Sequence, residues 1–462
     1  MSVIYSAFHA AGDPPLCDLL GKAIETEEAA KKASDLAMAG EAIPNLNQIL
    51  AARGTASQAL SNAVAAADAA TPARCTHALV IGVGEYPHLA GGALFADQPA
   101  VMAMGLAQLT CSVQAAQAVT DWLLTSFQNQ ERPLATIELL LSPGIYSPSD
   151  TAATVLGIAP GSSVRVEAAT FGNIQAAFGR WLARCNHDRQ ANVAGDMLGD
   201  SAFFFFSGHG LEKEVSLVLP SDFGADPNIP FANAVDLTTT HRLMGQCKAD
   251  LQCWVIDACR ESPIELLTSQ EKPGRALKGD TGDPFLLRDA PLYQAAAEGK
   301  QAFGPPNKPT YFTQQLIKCL DGIGADRKVG GKWRVTSQSL RAGLNAAIDR
   351  LPPVNGKRVT CDTGNGKSNF TRTLHFASDP IHVLAKVFCN PFDVQPLADL
   401  YLMDTGNNKT PRAAREASLW VIEVAAGAYR PGADFDAGVR NPFIGEQTLL
   451  MPPDNPLELT LP

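Results

Sequence analysis

Four short apolar runs, set between stretches of helical periodicity, constrain this chain more than any other feature. They are Ala78-Leu-Val-Ile-Gly-Val83, Thr136 to Leu141, Ser201-Ala-Phe-Phe-Phe-Phe206 and Gln252-Cys-Trp-Val-Ile256. Each is rich in branched or aromatic residues and short for a helix, the pattern of a strand covered on both faces. Residues 112–127, 173–184, 311–320 and 337–350 carry helix-like patterns. Strands and helices alternating in this rhythm predict right-handed crossovers and a mostly parallel sheet flanked by helices, an α/β fold.

The texture changes on either side of this region. Residues 1–73 hold a stretch, Leu19 to Met38, full of Ala, Glu and Lys, and another, Ala51 to Ala70, of nearly all small residues, with good helix propensity but little apolar surface to anchor a helix. They read as a helical N-terminal arm or pro-segment; an arm packed on the core without a regulatory role fits equally well. Residues 74–378 hold the α/β domain. From 379 to 462, strand-like stretches at Ile381 to Phe388, Ser418 to Ala425 and Leu457 to Leu461 alternate with Pro, Gly and Asn clusters. They predict a small all-β, sandwich-like module.

A formal net charge of −10 argues against nucleic acid and anionic membranes as partners. No segment approaches the ~18 apolar residues needed to cross a bilayer, and the first residues lack the basic start and apolar stretch of a secretion signal. The expected location is cytoplasmic. The 10 cysteines are scattered, and Cys247, Cys253 and Cys259 recur at intervals unlike a metal-ligand spacing. Neither metal nor cofactor is expected.

Two of the strands end in reactive residues. The third runs into Ser207-Gly-His-Gly210 and the fourth into Asp257-Ala-Cys-Arg260. In an open α/β sheet, functional groups gather beyond the carboxyl ends of the strands. If these two strands are neighbours, His209 and Cys259 face each other as a Cys-His pair, with Cys259 the nucleophile and His209 its base and later its acid. Gly208 permits a tight turn off the strand. Gly210 lets its N–H approach a reacting carbonyl and, with the N–H of Cys259, form an oxyanion hole. Either residue alone is more simply a buried histidine or a buried free thiol; the pair at matched strand ends points to catalysis.

These residues resemble the caspase-like cysteine peptidases, the group that includes caspases, metacaspases and bacterial relatives. In caspases the Cys follows Gln-Ala, with the His about 50 residues earlier; here it follows Asp257-Ala258, and positions 209 and 259 lie 50 apart. The resemblance covers about residues 77–350. It includes Leu79-Val-Ile-Gly-Val-Gly-Glu-Tyr86, and residues 295–302 are similar to the family's later strand. It implies a cysteine endopeptidase. Metacaspases carry Asp where this chain has Asp257, in a pocket for Arg or Lys, and the resemblance also sets Ser207 in that pocket. One carboxylate at the base of a narrow pocket prefers a cation, although Asp257 as the cap of a local turn is the plainer alternative. Arg260-Glu-Ser262 departs from the metacaspase pattern, so no role carries over to it.

The polar stretch after Cys259 offers Arg275, Lys278 and Arg288 as self-cleavage sites for a basic-specific protease, and Arg74 is another; a plain surface loop explains the composition equally well. Protein substrates are the expected partners, with an upstream activating protein or protease as a further one. The resemblance also implies a place in stress, cell-death or phage-defence systems. The competing reading is a catalytically inactive caspase-like scaffold that recruits partners, against which intact His209 and Cys259 argue. A weaker third is an acyl-transfer enzyme using Cys259.

Overall fold

The computed structural model describes residues 74–95, 105–186, 190–191, 197–226, 228–229, 231–262, 274–284, 288–296, 302–363, 366–368, 371–452 and 455–461. The arm expected for 1–73 lies outside the described residues. The chain divides into two compact units, one formed by residues up to Gln314 with Pro353–Arg372, the other by Gln315–Pro352 with Thr373–Pro462.

The first unit is built on a six-stranded sheet. In chain order its main elements are β1 (Thr76–Val83), α1 (Ser112–Thr125), β2 (Leu134–Ser142), α2 (Phe171–Arg184), β3 (Ser201–Gly208), β4 (Gly210–Glu212), β5 (Ser216–Val218), β6 (Val235–Asp236), α3 (Leu237–Leu243), β7 (Leu251–Ala258), β8 (Asp289–Gln294), the first half of α4 (Tyr311–Lys318) and β11 (Gly366–Ser368). The sheet order is β11-β8-β7-β3-β1-β2. All neighbours run parallel except the short β11, which pairs antiparallel with β8. The four expected strands are its four central members or their neighbour, each longer by one to two residues at its ends.

Apolar residues cover both faces. Phe204, Phe206, Trp254 and Ile256 pack with Phe178 and Trp181 of α2 in one buried cluster, where the Phe204 and Trp254 rings stack at 4.4 Å. Trp181 donates its indole N–H to the His77 carbonyl at 2.9 Å, so this buried indole has no orphaned donor. The opposite face meets α1. A Cβ at Gly82 would lie 2.6 Å from Ala116 Cβ, so glycine allows the helix to press onto β1. Each fully buried aromatic contributes about 1.5–3 kcal/mol of transfer free energy. That places the sheet, and so its carboxyl edge, in the most constrained part of the unit.

The family's later strand falls at Asp289–Gln294, just before the expected stretch. Pro291 disguises it in the sequence. It is tolerated because the strand lies next to the sheet edge, with only three residues of β11 beyond it.

The second unit contains β9 (Ala325–Val329), β10 (Lys332–Thr336), α5 (Ser337–Asp349), β12 (Thr373–Ala377), β13 (His382–Asn390), β14 (Ala398–Asp404), β15 (Lys409–Pro411), β16 (Trp420–Ala425), β17 (Gly427–Phe435), β18 (Phe443–Ile444), β19 (Thr448–Leu450) and β20 (Asn455–Thr460). Its sheets are β9-β10-β12, β16-β13-β20 and β15-β14-β17-β18, with β19 also on β17. The three strands expected from the sequence are the members of the middle sheet. Among the described residues no helix is long and apolar enough to cross a membrane.

Candidate active site

The strands β3 and β7 are neighbours, with Asp257 beside Ser207 and Ala258 beside Gly208. His209 and Cys259 are therefore the first residues beyond two adjoining strand tips. A Cβ on Gly210 would lie 2.4 Å from the Cys259 carbonyl oxygen, so β4 passes directly against the backbone of Cys259. Gly208 has a similar reason. A Cβ there would meet Tyr86 Oη and a Phe206 ring carbon at 2.9 Å, so it is close approach rather than turn conformation that requires glycine.

The histidine is held from several sides. Its backbone N–H donates to Tyr86 Oη at 2.8 Å, and Tyr86 Oη–H donates to the Leu219 carbonyl at 3.1 Å. The Tyr86 and His209 rings lie 4.8 Å apart. Nε2 is 2.6 Å from the Ala107 carbonyl oxygen. A carbonyl can only accept, so Nε2 carries a proton and Nδ1 is left as the basic nitrogen. Gln108 clamps the Ala107 loop to the Tyr86 loop, accepting from the Tyr86 N–H at 2.7 Å and donating to the Tyr86 carbonyl at 2.9 Å. Burial lowers the pKa of the imidazole, opposed by the bond to Ala107. Sequence reasoning missed the Ala107 carbonyl, because a backbone oxygen leaves no mark in the residue string. It also missed the Tyr86 hydroxyl, although that residue stands inside the quoted Gly-Val-Gly-Glu-Tyr stretch.

The thiol is held more simply. The Ala302 N–H donates to Cys259 Sγ at 3.3 Å, and Sγ lies 4.0 Å from the Ala302 carbonyl oxygen. Burial pushes the thiol up to about 11, with the Ala302 bond opposing and the carboxylates of Glu261 and Asp257 adding to the rise. Ring and thiol are not hydrogen-bonded to each other; each is held by backbone. In this arrangement Cys259 is a protonated thiol at neutral pH.

Beside the thiol, Asp257 and Ser207 share one face of the sheet. Asp257 is 2% exposed and Ser207 fully buried. One carboxylate oxygen, Oδ2, accepts from the hydroxyls of Thr310 and Thr313, the second at 2.5 Å. The other, Oδ1, has no partner among the described residues, and neither has Ser207 Oγ. Burial pushes the carboxyl up to about 6, against the two hydroxyls.

Arg260, to which no role carries over from the metacaspase pattern, forks onto Glu212. Its Nε donates to Oε2 at 3.0 Å and Nη2 to Oε1 at 3.3 Å, while Nη1 reaches Asp362 at 2.9 Å. Glu212 stands three residues after His209, and its N–H donates to the Glu261 carbonyl at 2.9 Å. The His and Cys tips are thus fastened together just beyond the reactive residues.

The candidate cut sites are not gathered at one exposed loop. Lys278 and Arg288 are buried, and Lys278 Nζ donates to Gln246, Gly279 and Thr281. Arg275 is exposed, but its N–H and carbonyl are bonded to Ala234 and Asp236, and its guanidinium lies 3.9 Å from the Phe171 ring centre. The bond after Arg74 leads to the Cys75 N–H, which donates to Asp200 at 2.8 Å. Cleavage at any of the four requires the segment to leave its place.

The chain is similar to known proteins to different extents. An uncharacterized protein of Sinorhizobium fredii is 26% identical over 308 residues, 62% of this chain and 83% of the relative. A probable protease of a Desulfuromonadales bacterium is 27% identical over 177 residues, 34% of this chain but 21% of that protein. The crystal structure of caspase-1 from Spodoptera frugiperda aligns with a TM-score of 0.36 at 10% identity, over 66% of this chain and 93% of that one. The model of the caspase domain matches residues 75–342, more than half of the 462 residues and the span that carries both strand tips. The chain belongs to the caspase-domain family of cysteine peptidases.

Proposed function

We propose that this protein is an endopeptidase that cuts proteins after Arg or Lys, with Cys259 as nucleophile and His209 as general base and acid. The observation that carries this reading is the pair of buried, partnerless oxygens, Asp257 Oδ1 and Ser207 Oγ, beside the thiol. A buried acceptor without a donor is costly, and a substrate's ammonium or guanidinium entering there supplies both charge and donors. An acidic side chain would meet the carboxylate as a like charge.

Catalysis begins when Sγ leaves the Ala302 N–H and meets His209 Nδ1. The ring takes the thiol proton while Nε2–H stays on the Ala107 carbonyl, so the tautomer needed at the start is already present. The thiolate adds to the scissile carbonyl, the N–H groups of Gly210 and Cys259 receive the oxyanion, and the imidazolium protonates the leaving amine. Water, with His209 again as base, hydrolyses the thioester.

Self-processing fits best at Arg275, the exposed member of the four candidates. An upstream protease or partner that frees the thiol is the corresponding activator, and a stress, cell-death or phage-defence setting follows from the family. The separation of ring and thiol favours one rival, a scaffold without turnover.

The test is hydrolysis of fluorogenic peptides ending in Arg, Lys or Asp, with Cys259→Ala and His209→Ala as controls. Turnover of the basic peptides that both variants lack supports the reading. Preference for Asp overturns the pocket, and no turnover after limited proteolysis favours the scaffold.

A further inference from the structure

The pocket carboxylate has one oxygen held and one open. Thr310 and Thr313, both buried, direct their hydroxyls onto Oδ2 of Asp257. Thr310 is itself fixed, because its Oγ1 accepts from the Thr313 N–H at 3.0 Å while its proton goes to Asp257. This is the side-chain cap of α4, so the turn that starts the helix also aims the hydroxyl. The helix N-terminus further favours negative charge at this point.

From this geometry we infer that Thr310 and Thr313 are positioning residues for substrate choice, which hold Oδ2 of Asp257, leave Oδ1 open on the sheet face shared with Ser207, and keep the carboxylate in its acceptor form for a basic side chain. The inference rests on the basic-pocket reading above. With both hydroxyls on Oδ2, the pocket offers one carboxylate oxygen and one serine oxygen. A carboxyl that lost a donor would turn, and would hold its proton more tightly, since hydrogen bonds to the charged form favour it. The other titratable groups around Asp257 are the thiols of Cys111 and Cys259, both raised by burial and so uncharged between pH 5 and 8.

The experiment compares the wild type with Thr313→Val, Thr310→Val and Thr313→Ser. Each preparation is normalised by titrating reactive thiol with an irreversible peptide reagent, so that unfolded protein is not counted. For an Arg-ended peptide, either valine variant should raise KM about tenfold with a smaller change in kcat. It should also move the acid limb of kcat/KM up by about one pH unit. Thr313→Ser keeps the hydroxyl and should restore both. A valine variant with wild-type KM and an unmoved acid limb overturns the inference while leaving the basic pocket standing. A wild type that prefers Asp-ended or uncharged peptides overturns the pocket reading, and this inference with it.

Discussion

The two strand tips that make the site are built differently. On the histidine side, Tyr86, Gln108 and Ala107 form a closed hydrogen-bonded frame around a ring whose tautomer is already chosen. On the cysteine side, the sulfur rests on one backbone N–H, and burial keeps it protonated. On the proposed reading the contrast teaches that the base is prepared in advance, whereas the nucleophile has to be moved to it. On that reading the resting chain is latent through the position of its sulfur.

The strongest attempt to break this contrast removes one reactive atom at a time. Cys259→Ala or His209→Ala should each lower turnover of a basic-ended peptide by about a thousandfold or more, with the circular dichroism unchanged. Next comes the fastening between the tips. Arg260→Met takes the charged partner from Glu212, leaving it the Ser216 hydroxyl, and should cost about 3 kcal/mol in urea unfolding, together with a lower kcat. On the histidine side, Tyr86→Phe strips the acceptor from the His209 N–H and should cost about 1–3 kcal/mol by the same measurement. A Tyr86→Phe protein with wild-type stability and kcat would remove the frame from the comparison.

Alkylation by iodoacetamide sharpens it. In the resting protein the rate at Cys259 should climb with pH towards about 11, and His209→Ala should leave that profile where it is, because ring and sulfur are not bonded. After activation a neutral-pH limb should emerge, and only in protein that retains His209. The smallest effect concerns Asp257. It binds its proton more tightly folded than unfolded, so its contribution to stability is fully present below about 3.8 and is lost as pH rises through about 6. Binding of a basic peptide runs the other way, with KM rising as pH falls through the same value. Unfolding and KM profiles that move together would contradict this.

The parallel sheet was legible because its four strands are buried on both faces, and such strands announce themselves as unbroken apolar runs. β8 was shifted by its internal Pro291 and short edge partner. The second unit was read at β13, β16 and β20, but β17 was missed. It holds Pro431 and Gly432 and reads as a loop; opposite it, β19 pairs at Tyr429 and β18 at Gly432, so Pro431 falls between two partners. At the site, His209, Cys259, Asp257 and Ser207 could be named because each is a side chain beside a strand end. The Ala107 oxygen, the Ala302 N–H and the Thr310–Thr313 pair depend on folding distant segments together, and local spacing carries no trace of them.

The crowding at Gly210 has an evolutionary consequence. A single methyl group there would collide with the peptide oxygen of the nucleophile and drive the two tips apart, while both reactive side chains stayed in the sequence. On the proposed reading, loss of activity in this lineage can therefore come from a position that carries no reactive side chain. A homologue that retains histidine and cysteine but has alanine at this point should be ranked among the inert members, and a search for active relatives should score the glycine along with the dyad.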